Sequence, residues 1–110
     1  MVYFISGHRD LKKEEFKNWY EPCLETILEK DPWAKFVVGD CKGADQMAQE
    51  WLKNNIGTKE NVTVYHMFAR PRVLEDLSFK TSSGYSTDVE RDSEMTRVSD
   101  KDVAFIGEKR

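Results

Sequence analysis

Residues 36–52 read FVVGDCKGADQMAQEWL, and they combine a strand, a turn and a helix in one short span. Phe36, Val37 and Val38 form an apolar run with the composition of a buried strand. After the turn, apolar residues recur at the spacing of one helical face: Ala44, Met47, Ala48, Trp51 and Leu52. A strand that passes through a glycine-bearing turn into an amphipathic helix predicts the first half of a βαβ unit.

The turn at residues 39–43 predicts a ligand-binding position. In open α/β sheets, ligands bind outside the carboxyl ends of the strands, and the N–H groups and dipole of the following helix favour an anion. Gly39 and Gly43 permit left-handed backbone dihedrals and a close approach to a ligand. The spacing matches neither the Rossmann nor the Walker glycine motif, so a tight turn that binds nothing is the alternative.

Length, charge and cysteine content limit the classes of protein to consider. The chain has 110 residues, enough for one domain, residues 1–110, with a modest core. No apolar run is long enough to span a bilayer, and the sequence enters its first strand without a leader. The net charge of -3 argues against a nucleic-acid partner. Cys23 and Cys41 lack metal-ligand spacing and are predicted to be free thiols, so we expect a soluble cytoplasmic domain with no membrane, metal or cofactor.

Strands and helices alternate along the rest of the chain. Short apolar runs predict three further strands, at residues 2–6, 62–67 and 102–106. A helix follows the first strand, with Asp10 as its cap and a kink or restart near Pro22. The buried stripe predicted for that helix is Phe16, Tyr20, Cys23, Leu24, Ile27 and Leu28.

The segment between the third strand and the last helix carries no periodic pattern. This loop, residues 68–86, is long for so small a domain, and such loops are more often functional or mobile than idle. Without an apolar stripe to anchor them, residues 70–85 are expected to be mobile until a ligand orders them. Thr87 and Glu90 then fit a capping box that begins the last helix.

The alternation of elements predicts an α/β fold, a small Rossmann-like parallel sheet of about four strands with helices on both faces. Such a sheet brings the turn after the first strand, the turn at residues 39–43 and the long loop to one edge, which is the predicted site. The last strand leaves an unpaired edge. Because exposed strand edges are commonly covered, we expect a homo-oligomer.

Three segments carry a family resemblance: ISGHRDL at residues 5–11, VVGDCKGADQMAQEWL at residues 37–52 and ERDSEM at residues 90–95. They resemble the YspA-type branch of the SLOG superfamily, which also holds the LOG phosphoribohydrolases, DprA and YpsA. The most specific element is Gly43-Ala44-Asp45 at the start of its helix. The resemblance implies a Rossmann-like fold and a ligand that is a nucleotide or a nucleotide-derived small molecule.

Three functions follow as alternatives. The first is a sensing or sequestering module that binds nucleotide without turnover, because the sequence ends soon after Ile106, where LOG enzymes continue through a glycine-threonine turn. The second is an N-glycosidic hydrolase, a phosphoribohydrolase acting on nucleoside monophosphates. The third is a protein-interaction or oligomeric scaffold that has no ligand.

The candidate ligand-binding residues follow the predicted strands or lie in the long loop and the last helix. They are Ser6, Gly7, His8, Arg9, Gly39, Asp40, Lys42, Gly43, Asp45, Arg70, Arg72 and Arg91. Arg9 and Lys42 suit a phosphate. Asp45, in the first turn of its helix, either braces the turn or bonds a ribose hydroxyl.

Asp92 and Glu94 are the candidate catalytic acids, because N-glycosidic cleavage needs a carboxylate and an acid at the reacting centre. Side chains two positions apart on a helix do not face one another, however. For the binding site, Arg9→Ala and Gly43→Val are each expected to weaken nucleotide binding while the fold stays intact.

Overall fold

Five parallel strands form the sheet in a computed structural model that describes residues 1–7, 9–67 and 71–104. The strands are β1 (Val2–Ser6), β2 (Lys35–Val38), β3 (Val62–Tyr65), β4 (Lys80–Ser82) and β5 (Lys101–Ala104). Their order across the sheet is β4-β3-β2-β1-β5. The α/β class and the parallel sheet are therefore confirmed, with one strand more than the four predicted. Phe105 and Ile106, at the end of the predicted last strand, lie outside the described residues.

The helices are α1 (Lys13–Glu15), α2 (Glu21–Lys30), α3 (Ala44–Asn55) and α4 (Asp88–Val98), with a single 3₁₀ turn at Lys59–Asn61. A π-helical segment, Phe16–Tyr20, joins α1 to α2. It ends just before Pro22, whose missing N–H removes a helical hydrogen bond, so the predicted interruption near this proline is confirmed. The helix also begins later than predicted, because Lys12 is the N-cap and Glu15 accepts its N–H, which leaves Asp10 outside the cap.

The two faces of the sheet carry different layers. Neighbouring residues of a strand point to opposite faces: Phe36 and Val38 pack with α2 and α3 in the larger core cluster, whereas Val37 packs with Met95 of α4 in the smaller one. Helices on both faces are thus confirmed. In the predicted stripe of the first helix, Phe16, Tyr20 and Leu24 are buried, but Cys23 is exposed because the wider π turn shifts the buried face.

The long loop is better anchored than its sequence suggests. It contains β4, which pairs with β3 in parallel register at Thr63↔Lys80. Phe79 is 4% exposed and belongs to the larger core cluster, and Leu74 packs against that cluster. Apolar side chains therefore do anchor this loop to the core, although its sequence carries no apolar stripe, and its mobility without a ligand stays a prediction. The Thr87 cap, by contrast, is confirmed, because its side chain accepts the N–H of Glu90.

Candidate ligand-binding site at the carboxyl edge of the sheet

A cavity of about 210 Å³ opens where β1 and β2 end and α4 crosses them. Its lining is Phe4, Ser6, Gly7, Arg9, Cys41, Lys42, Asp45, Asp88, Arg91, Asp92 and Met95. We call it the edge cavity. On one side of β1 lie β2, β3 and β4, and on its other side lies β5, so the strand order reverses at β1. The edge cavity adjoins this point of reversal, which is the usual ligand position in open α/β sheets.

A second cavity of about 410 Å³, the loop cavity, lies beside the edge cavity. It is lined by Arg9, Asp40, Cys41, Lys42, Arg72 and Val73. Arg9, Cys41 and Lys42 line both cavities, so the turn between β2 and α3 forms their common wall. Small-molecule sites typically measure about 300–1,000 Å³, so the two spaces together suit a small ligand that contacts both.

The turn before α3 depends on Gly43. This residue has φ +82° and ψ −127°, a backbone conformation that side chains disfavour, and a Cβ here would collide with the backbone of Arg9. Gly43 therefore brings the turn after β1 against the turn after β2. A side chain in Gly43→Val would strain this turn, which argues against the prediction that the variant leaves the fold intact. Asp45 braces the same turn, because its Oδ2 accepts the N–H of Cys41 at 3.1 Å.

Gly7 serves a comparable purpose at the end of β1. A Cβ at Gly7 would collide with the hydroxyl of Tyr20 and the side chain of Ala44. Tyr20, almost fully buried, donates its hydroxyl to the carbonyl of Ser6 at 2.7 Å. The carboxyl end of β1 is thus held by the π-helical segment on one side and by the start of α3 on the other.

Gly39 is packed beneath side chains of the protein itself. A Cβ at this position would lie 2.5 Å from Oδ2 of Asp45 and 3.2 Å from Cζ of Arg91. Gly39 lines neither the edge cavity nor the loop cavity. The sequence predicts a close approach of a ligand to Gly39. In the structure, the groups that approach Gly39 closely are the side chains of Asp45 and Arg91.

Asp40 is the centre of a buried ionic network. Its side chain is fully buried, and its Oδ1 accepts hydrogen bonds from Nη2 of Arg72 and Nη1 of Arg91, each at 2.9 Å. Its Oδ2 accepts the backbone N–H of Arg72 at 2.7 Å and Nε of Arg72 at 3.2 Å. A carboxylate has about four acceptor positions. In this arrangement Asp40 therefore has no acceptor left for the ligand contact predicted for it.

The network also sets the protonation of Asp40. Burial alone would raise the pKa of the Asp40 carboxyl, but the hydrogen bonds and positive charge of Arg72, together with the charge of Arg91, hold that pKa below its usual value. Arg72 and Arg91 were both predicted to bind ligand. The structure places Arg91 in the edge cavity and Arg72 in the loop cavity, each bonded to Asp40.

Arg9 and Lys42 are exposed on the shared wall of the two cavities. Nη2 of Arg9 lies 3.9 Å from Sγ of Cys41, a weak contact. Within residues 1–7, 9–67 and 71–104, neither Arg9 nor Lys42 pairs with a carboxylate. These two cations are therefore available to a negatively charged ligand beside the amino terminus of α3.

The acids around the edge cavity differ in their surroundings. Burial raises the pKa of the Asp45 carboxyl to about 6, against the opposing effects of the Cys41 N–H and the Arg91 charge. Asp92 accepts hydrogen bonds from Nε and Nη2 of Arg91 at 3.2 and 3.1 Å. Glu94 does not line the cavity, and its carboxylate pairs with Arg97. The structure thus places Asp92, but not Glu94, among the residues that line the edge cavity.

The edge cavity also includes residues that were not singled out from the sequence. Cys41 lies in the turn between two predicted residues, and Asp88 stands one helical turn before Arg91 and Asp92. The spacing of 88, 91, 92 and 95 on α4 was the available signal for Asp88. His8 and Arg70, both predicted to bind ligand, lie outside the described residues.

Comparison of the chain with protein-family models, curated proteins and solved structures found no match. The SLOG resemblance accordingly stays a prediction from the sequence. In the part of the chain that the structure describes, no helix is long and apolar enough to cross a membrane. In that same part, no three or more His, Cys, Asp or Glu side chains are grouped so as to hold a metal ion.

Proposed function

We propose that this protein binds a nucleotide or a nucleotide-derived small molecule at the carboxyl edge of its sheet and acts as a sensing or sequestering module. The observation that carries the proposal is the pair of cations, Arg9 and Lys42, that lines both cavities without a carboxylate partner among the described residues. A phosphate is the ligand group that such cations and a helix amino terminus bind best.

The acids of the edge cavity suit the other end of a nucleotide. Asp45, at the start of α3, and Asp92, on α4, line the wall of the edge cavity. Carboxylate oxygens accept hydrogen bonds from sugar hydroxyls and from amino groups of bases. A ligand with a phosphate at one end and hydroxyl or amino donors at the other therefore matches the distribution of charge around the cavity.

Nucleotide binding is tested by a thermal-shift screen over mono-, di- and cyclic nucleotides, followed by calorimetric titration of the best ligand, because a ligand selective for the native state raises its stability. Arg9→Ala and Lys42→Ala are each expected to weaken binding about 10- to 100-fold, since a hydrogen bond to a charged group contributes about 1.5–3 kcal/mol.

Lys53→Ala is the matched control, because it removes the same charge as Lys42→Ala from the opposite end of α3. It is expected to leave affinity unchanged. If no nucleotide raises the melting temperature, the binding proposal fails and the scaffold alternative gains support. If Lys53→Ala weakens binding as much as Lys42→Ala, the general charge of the protein, and not this site, holds the ligand.

Hydrolysis is a second candidate function because two carboxyl groups of different character line the edge cavity. The pKa of Asp45 is raised to about 6 by burial, whereas Asp92 is paired with Arg91. An acid whose pKa lies near the working pH, beside a carboxylate, is the arrangement that glycosidic cleavage uses. Incubation with nucleoside monophosphates, followed by chromatography of free base, tests it. We expect little or no base. Release that is lost in Asp45→Asn would establish the hydrolase.

A further inference from the structure

Two arginines and two aspartates form a closed ring of charge between the edge cavity and the loop cavity. Nη2 of Arg72 and Nη1 of Arg91 both donate to Oδ1 of Asp40 at 2.9 Å. The same two nitrogens lie 3.6 and 3.7 Å from Oδ1 of Asp88 on the other side. We call these four residues the arginine–aspartate ring.

The two aspartates of the ring are held very differently. Asp40 is fully buried and accepts four hydrogen bonds. The Asp88 side chain is 48% exposed, and its Oδ1 is buried but accepts no hydrogen bond from the described residues. Distances of 3.6 and 3.7 Å are too long for a hydrogen bond. Asp88 therefore interacts electrostatically with both guanidinium groups but is hydrogen-bonded to neither.

The Asp88 carboxylate lies between two guanidinium groups, where a free anion could bind in its place. A buried acceptor without a hydrogen bond is costly, and Asp88 can leave the ring because half of its side chain already faces solvent. Asp40 cannot leave in the same way, since its carboxylate joins β2, the long loop and α4. The two arginines would remain bridged by Asp40 and would still point donors toward the vacated side.

We propose that Asp88 is an internal competitor for an anion-binding position between Arg72 and Arg91, and that the phosphate of a ligand takes this position by displacing the Asp88 carboxylate. This inference deepens the proposed nucleotide binding, on which it rests, because it names a position for a phosphate group of the ligand in addition to Arg9 and Lys42, and a residue that weakens binding there. A phosphate offers several charged oxygens, so it can bond both arginines at hydrogen-bond distance where Asp88 bonds neither.

The test measures the affinity for inorganic phosphate by calorimetry in the full chain and in two variants. Asp88→Asn keeps the shape of the side chain and removes its charge. We expect phosphate to bind this variant about tenfold more tightly or better than the unaltered chain, because a like charge beside a bound anion opposes it. If Asp88→Asn does not fold, Asp88→Ser, with a residue common at helix starts, takes its place.

Glu90→Gln is the matched control. Glu90 lies in the same first turn of α4, and among the described residues its carboxylate forms no ion pair with either arginine; it accepts the N–H of Ser86, which glutamine can also do. This variant should bind phosphate as the unaltered chain does. An equal gain in Glu90→Gln and Asp88→Asn, or no gain in Asp88→Asn, would overturn the proposal. The side-chain N–H signals of Arg72 and Arg91 should also shift with phosphate in nuclear magnetic resonance; shifts confined to other residues would overturn it too.

The proposed function and this inference can fail separately. If nucleotides bind the unaltered chain but phosphate gains nothing from Asp88→Asn, the nucleotide site stands and the role of Asp88 is refuted. If Asp88→Asn binds phosphate more tightly but no nucleotide binds the unaltered chain, the anion position stands and the proposed nucleotide function is refuted.

Discussion

Asp45 combines a structural contact with an unfavourable environment. Its Oδ2 accepts the N–H of Cys41 and so holds the turn between β2 and α3, the role that its place in the first helical turn suggested. The same position is buried enough to raise the pKa of its carboxyl to about 6. Near neutral pH the native protein therefore carries a charge at Asp45 that its surroundings disfavour.

This residue should give the stability of the protein a recognisable dependence on pH. Because the native pKa of about 6 exceeds the reference value of 3.8, the native state binds the proton more tightly than the unfolded chain. The stabilisation from Asp45 is complete below about pH 4 and is lost as pH rises through 6. In Asp45→Asn, whose amide oxygen can still accept the Cys41 N–H, we expect about 1–3 kcal/mol more stability at pH 7 than in the unaltered chain.

Urea denaturation of both proteins at pH values from 4 to 7 measures this difference in the free energy of unfolding. The gain should disappear at pH 4, where the unaltered Asp45 is protonated as well. Asp40 titrates in both proteins, and because its native pKa is lowered, its own stabilisation is lost only as pH falls below the range of the experiment. A gain of the same size at every pH would show that Asp45 does not titrate as proposed.

The sequence predicts the roles of some residues better than those of others, as Asp45 and Asp40 show. Bracing was one of the two roles that the sequence offered for Asp45, and the partner in the structure, Cys41, lies only four positions away. The partners of Asp40 are Arg72 and Arg91, 32 and 51 positions away. No local pattern relates such residues, so an acid after a strand was taken for a ligand contact when it is the centre of an ionic network.

At the scale of elements, the long loop is attached to the sheet through one buried side chain of α3. Gln49 is fully buried, and its Nε2 donates to the carbonyls of Gly39 and Val73, each at 3.1 Å. Its Oε1 accepts the N–H of Glu75 at 2.9 Å. One amide thus satisfies backbone groups at the end of β2 and at two positions of the loop, where no regular secondary structure would do so.

Replacing this amide should release the loop. Gln49→Met keeps the approximate volume of the side chain but leaves three buried backbone groups without their partner. We expect a loss of about 2–4 kcal/mol in the free energy of unfolding. Each unsatisfied buried group costs about 1–3 kcal/mol, and the total stays below the full sum because the surrounding backbone relaxes in part. Urea denaturation measures the loss, and hydrogen exchange should become faster at the amides of residues 72–76.

Gln46→Met is the matched control, because Gln46 lies one turn earlier on the same helix, is exposed, and donates its side-chain amide to the carboxylate of Glu75. Its effect should stay below about 0.5 kcal/mol, as for most surface substitutions. Equal losses in the two variants, or unchanged exchange in residues 72–76 of Gln49→Met, would mean that the loop is held mainly by Phe79 and β4.

The sequence predicts best those elements whose apolar side chains face the core at a regular spacing along the chain. β1, β2, β3 and α3 follow directly from their apolar patterns. β4 could not be predicted in this way, because its residues Lys80, Thr81 and Ser82 are polar and belong to a short edge strand. Part of the anchoring of the long loop was missed for a related reason: polar Gln49 and Asp40 contribute to it through hydrogen bonds, which hydrophobic periodicity does not detect.

For the whole molecule, the unequal covering of the sheet explains where the candidate site lies. The larger core cluster joins α2 and α3 to one face, whereas α4 with Met95 and Val98 covers the other. Both layers reach the carboxyl edge, where Asp40 links the long loop to α4. The edge cavity therefore lies where elements that pack on opposite faces of the sheet are linked by this ionic network. The homo-oligomer, expected from the free edge of the sheet, stays a prediction.

The position of β1 in the middle of the sheet has a consequence for how fast the chain folds. β1 pairs with β2 on one side and with β5 on the other, and Val2 exchanges hydrogen bonds with Asp100, 98 positions away. Closing so long a loop costs entropy before its contacts become favourable, and parallel pairings over large sequence separations fold slowly. The strands β1 to β4 can assemble from nearer neighbours, so the docking of β5 with α4 forms a late step, and until it occurs Phe4 and Val37 face water.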